Sequence, residues 1–117
     1  VVQPPPPPPP PRVVPVLKDG QAHALLASVP KQSFGNERIS VLTLGLRGVC
    51  VTTAQAKGFV KAMSFSSEQI AALRLLAARI VDPTSSFQLL DVFNFEADKR
   101  TARDVLASAA PVPECRP

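Results

Sequence analysis

Eight consecutive prolines, Pro4 to Pro11, constrain this chain more tightly than any other stretch. Each proline fixes φ near −65° and lacks the amide donor that a helix or sheet needs. The segment is therefore expected to form a polyproline II rod, roughly 25 Å long at about 3.1 Å per residue. Such a rod cannot join a core. Residues 1–18 are assigned to an arm, disordered or in polyproline II. An α-helical domain is expected over 19–110, followed by a flexible tail over 111–117. About 90 residues are left to fold, and a domain of that size buries only about 60–65% of the surface its unfolded chain exposes. Its stability is expected to be modest.

Apolar residues make up 45% of the chain, with six Phe and no Trp or Tyr, which points to a core of Ala, Val and Leu. The apolar period is helical: Ile39, Leu42, Leu46 and Val49 step by three, four and three, and so do Ile70, Leu73, Ala77 and Ile80. Thr52 with Gln55 and Ser66 with Gln69 have capping-box spacing. Asp82 before Pro83 reads as an N-cap followed by proline at the first helical position, and Asp19 can cap a first helix that Pro30 helps to end. Helices are predicted near 20–29, 36–48, 53–63, 67–81, 83–93 and 97–109. Alternation is weak and hairpin dipeptides are missing, so β-structure has little support.

These helices pair off. At an offset of 31, Phe34, Glu37, Ile39 and Leu42 match Phe65, Glu68, Ile70 and Leu73. At an offset of 30, Phe65, Ala72, Leu75 and Leu76 match Phe95, Ala102, Val105 and Leu106. The fold class read from this is all-α, with three stacked helical hairpins on a repeat of about 30 residues. The recurring "SFSSEQI" reads as a hairpin joint. With Ser66 at the N-cap, Phe65 and Ile70 have hydrophobic-staple spacing, and Phe34 and Ile39 repeat it around Gly35. In the third copy Arg100 and Arg103 stand where Ile and Leu stood, as a terminal unit with one wet face would have them.

The stretch from "VTTAQAKGFVKAMSFSSEQI" to "FNFEADKRTARDVL" resembles the uncharacterised family called domain of unknown function 4476. The likeness rests on a Thr-rich helix start with Gln, a Phe-containing turn, an Asp before a Phe-containing helix, and a second such turn ending in basic residues. It covers roughly 51–106, with 20–50 fitting more loosely. The resemblance brings no assigned activity. It implies a helical module, often with proline-rich flanks, in exported bacterial proteins and in animal proline-rich proteins.

Little in the residues points to chemistry. The formal charge is +4, and the basic residues are scattered among acids, which reads as a solvated surface. His23 is expected on a helix surface, and Asp82 and Asp91 are too far apart to act together. Glu96, Asp98 and the serines at 64, 66 and 67 suit the positive end of a helix. The five glycines are single and scattered, so there is no phosphate loop. No catalytic, cofactor-binding or metal-ligating residue is singled out, no cofactor is expected, and the chain is not expected to be an enzyme. Cys50 and Cys115 are either free thiols or one bridge across a long loop, the latter favouring an oxidising compartment. The chain begins at Val1, as a fragment or processed form would. No apolar run approaches the ~20 residues that span a bilayer. Localisation stays open, with export or the periplasm favoured over the cytoplasm.

Two partner-binding sets remain. Pro7, Pro10 and Arg12 satisfy the P-x-x-P-x-R spacing that suits an aromatic groove with an acidic neighbour. Lys99, Arg100 and Arg103 lie on the terminal helix. The reading is a non-enzymatic protein-interaction module with a polyproline arm, its protein partner possessing, for instance, a proline-recognising domain. The alternatives are an exported structural or envelope-associated domain, and a weak nucleic-acid binder using the C-terminal basic helix.

Overall fold

A computed structural model describes residues 2–7 and 14–115. Among these residues the fold is all-α. Its helices are α1 (Asp19–Ser28), α2 (Gly35–Gly45), α3 (Thr53–Lys61), α4 (Ser66–Ala77) and α5 (Glu96–Ser108), with 3-10 segments at Val29–Lys31, Pro83–Val92 and Pro113–Cys115. The helix predicted over 83–93 is thus present as a 3-10 helix and not an α-helix. Its start explains the tighter winding. Pro83 is followed by Thr84, Ser85 and Ser86, and Ser86 Oγ donates to the Pro83 carbonyl at 2.7 Å, three residues back.

Helices α2 and α4 also end earlier than their apolar stripes suggest. Gly48, at φ +71°, turns the chain out of α2 in a conformation that a β-carbon disfavours. The next residues, the second link, run extended and bond to the first link, residues 15–17 before α1, and to the third, residues 79–81 after α4. Cys50 N donates to Pro15 O at 2.8 Å, and Leu17 N donates to Cys50 O at 2.7 Å. Val51 N donates to Arg79 O at 2.9 Å, and Val81 N returns a bond to Val51 O at 2.9 Å. Val49 and Ile80, read as the last steps of helical stripes, therefore belong to links. Their β-branched side chains suit extended backbone better than a helix end.

The helices pack in two rows. Along one, α1 contacts α3 and α3 contacts the 83–92 segment; along the other, α2 contacts α4 and α4 contacts α5. Leu42, Leu46, Phe59, Leu73, Leu76 and Leu89 are fully buried between the rows. Gly45 lets α1 come close to α2: a β-carbon there would stand 2.5 Å from both Leu25 methyl carbons. Among the described elements helix α5 contacts only α4 and the 83–92 segment, so Ala102 and Val105 are buried while Arg100 and Arg103 are exposed.

Candidate interaction surface

The two ends of the helix rows are built differently. At the link end, polar groups converge and are paired. Thr52 and Gln55 form the predicted capping box: Gln55 N donates to Thr52 Oγ1 at 3.2 Å, and Thr52 N donates to Gln55 Oε1 at 3.1 Å. The remaining Gln55 amide donates to Leu17 O at 2.9 Å, joining the first link to the second. Asp82 does not cap the helix that follows it. Its carboxylate instead accepts from Thr53 N at 2.7 Å and from Thr53 Oγ1 at 3.0 Å, so it serves the N-terminus of α3 across the stack. Arg79 donates to Val49 O at 3.1 Å.

Cys50 and Cys115 are joined in a disulfide, their Cα atoms 5.6 Å apart, which decides between the two readings of the thiols. The bridge falls within residues 111–117, expected as a flexible tail. Val112 N donates to Ala78 O at 2.9 Å, so the segment is tied at two points before residues 116–117, which lie outside the described residues.

At the joint end, three phenylalanines take the same place. Phe34, Phe65 and Phe95 are the N-cap residues of α2, α4 and α5, in extended backbone with φ −117°, −123° and −106°. Each carbonyl accepts the first intrahelical bond, from Arg38 N at 3.0 Å, Gln69 N at 2.9 Å and Lys99 N at 3.0 Å. None of these helices has a side-chain cap. The predicted staple and the Ser66–Gln69 capping box are therefore one residue out of register. A staple needs its Phe before the cap, whereas here Phe is the cap and its ring points outward. The three rings are 65%, 68% and 68% exposed, in chain order. Ile39 and Ile70 pack against the core without them.

One cluster ties the first joint to the second. Arg38 donates to Gln32 O at 3.0 Å, to Ser64 Oγ at 2.8 Å and to Glu68 Oε1 at 3.1 Å. Beside it an open groove of about 360 Å³ runs between the N-termini of α2 and α4, lined by Gly35, Asn36, Ile39, Ser67, Glu68 and Ala71.

The residues singled out from sequence fall in separate places. Pro7 is exposed, while Pro10 and Arg12 lie outside the described residues. Lys99, Arg100 and Arg103 share α5, Lys99 half-buried and the two arginines exposed, with Asp98 and Asp104 within a turn of them. Arg103 borders a second open cleft, of about 280 Å³, with Pro83, Phe87, Leu90 and Leu106. His23 lies exposed on α1. Among the described residues no three of His, Cys, Asp and Glu come together as metal ligands, and no helix is long and apolar enough to cross a membrane. Sequence reasoning missed the exposed Phe87 and the Arg38–Glu68 pair. The 30-residue spacing of that pair equals the repeat expected from sequence and could have suggested it.

The model of a domain of unknown function, DUF4476, matches residues 16–106. The chain belongs to the DUF4476 family. The matched DUF4476 segment opens at Val16, where the first link bonds to Cys50, and it takes in the first hairpin as well as residues 51–106. No curated protein and no solved structure matches the chain.

Proposed function

We propose that this chain is a protein-interaction module without catalytic activity, a stack of three helical hairpins carrying a polyproline arm. One observation carries the reading. Of the six phenylalanines, Phe34, Phe65, Phe87 and Phe95 are 65–68% exposed, in a domain small enough to need every aromatic ring in its core. Exposed aromatic surface of this kind is what protein interfaces are enriched in. Burying such rings against a partner recovers the apolar free energy that folding left unused.

The test is capture of partners from native-source extract on the immobilised full chain, beside a variant with all four of these phenylalanines changed to Ala. Proteins retained by the first and lost by the second are the expected result. Identical recovery on both would sink the reading.

A second reading, an exported structural domain, is favoured by the buried disulfide, because such bridges persist in oxidising compartments. Thiol titration of protein from its native source tests it, and two free thiols there would count against it.

A further inference from the structure

We propose that the row formed by Phe34, Phe65 and Phe95 is a binding site for a polyproline II segment, and that its occupant is residues 4–11 of a second copy of this chain. The inference rests on the interaction-module reading and names the partner.

The first argument is placement. The three rings sit on consecutive neighbours, since α2 packs on α4 and α4 on α5. The helices also run the same way. Gly35 of α2 lies against the Glu68 side chain near the start of α4, while Arg74 and Ala78, at the end of α4, share a cleft with Ser108 and Ala109, at the end of α5. All three N-termini, each with its phenylalanine, thus open on one side of the molecule.

The second argument is spacing. Packed helices lie about 8–10 Å apart, so the row offers one ring at roughly that interval. A polyproline II helix completes a turn in three residues, about 9.3 Å at 3.1 Å per residue. Each turn of a proline rod can therefore meet one ring. Eight prolines, at about 25 Å, exceed the roughly 16–20 Å between the outer rings.

Chemistry and charge agree with the spacing. Proline faces stack on aromatic rings, and a rod that is already ordered loses little conformational entropy on binding. Exposed acids flank the row at Glu37 and Glu96, whereas Glu68 is already paired with Arg38. The proline run is followed by Arg12, the opposite charge at the end of the ligand.

A second copy is favoured over the chain's own arm by where the arm joins the domain. Residues 15–17 are bonded to Cys50, beyond the C-terminal end of α2, whereas Phe34 caps its N-terminal end. The 11 residues of α2 put about 16 Å between the two ends, whereas the chain from Pro11 to Pro15 can span at most about 14 Å, too little to carry the proline run from one end to the other. Arm-to-row docking joins different surfaces of the two copies, so it leads to rings or open chains, or to a dimer where the two arms are exchanged.

The experiment uses the intact chain. A fluorescein-labelled peptide of residues 1–14 is titrated with the full-length protein and followed by anisotropy, and the protein's mass is measured by sedimentation across micromolar to millimolar concentrations. Saturable binding is expected, with mass rising with concentration and the unlabelled peptide reversing the rise. Phe34→Ala, Phe65→Ala and Phe95→Ala should each weaken the peptide about tenfold. Phe65→Tyr, which keeps the ring, should retain binding, and Leu44→Ala, exposed on α2 away from the joints, should bind as the parent does. Circular dichroism melts of every variant confirm that the helices persist. The proposal is overturned by an absence of saturable binding, by binding that the Phe→Ala changes leave unaltered, or by binding in a protein whose mass stays monomeric throughout, which would place the arm on its own domain. None of these outcomes touches the extract capture that tests the module reading, so the two can fail separately.

Discussion

The link end and the joint end of this domain are assembled from the same kind of residues and reach opposite outcomes. At the link end, short extended segments bond to one another, Asp82 and Gln55 reach across to neighbouring links, and a disulfide closes the last segment onto the second link. At the joint end, three helices begin without side-chain caps and three phenylalanines face solvent, with Arg38 as the cross-tie between the first two joints. Bonding between segments is therefore concentrated where the links meet, and three of the four exposed phenylalanines stand at the joints. With its links bonded to one another at one end, the domain leaves aromatic rings exposed at the other.

The difference can be broken by measurement. The largest effect is expected from the disulfide, which closes a loop of 65 residues. Cys50→Ser with Cys115→Ser should lower the unfolding free energy by about 2–4 kcal/mol in urea titration, chiefly because the unfolded chain regains freedom. Asp82→Ala comes next. It removes the carboxylate that accepts from Thr53 N and Oγ1, leaving Oγ1 only the Asp82 carbonyl at 3.2 Å, and should cost about 1–3 kcal/mol because Thr53 is 2% exposed. Asp82→Asn keeps an acceptor and should recover part of that loss. Thr52→Ala removes one half of the capping box and should cost about 1 kcal/mol, read as faster hydrogen exchange in the first turn of α3. The smallest effect is expected at the joints, where Phe65→Ala should change stability by less than about 0.5 kcal/mol, measured by the same urea titration. A Phe65→Ala loss as large as that of Asp82→Ala would abolish the distinction between the two ends.

The sequence by itself determined that the chain is helical, where each helix lies to within a few residues, and that Thr52 and Gln55 cap α3. Each of these depends on residues three or four apart, so a local pattern carries it in full. The tertiary structure alone decided the rest. Whether Asp82 caps the segment that follows it or the start of α3 depends on a residue 29 positions away, and the Cys50–Cys115 bridge joins residues 65 apart. The joint phenylalanines show the limit most clearly. Their spacing to Ile39 and Ile70 is that of a staple, yet the helices begin one residue earlier than that motif requires. A shift of one residue swings the ring by about 100° around the helix axis, from the core to solvent.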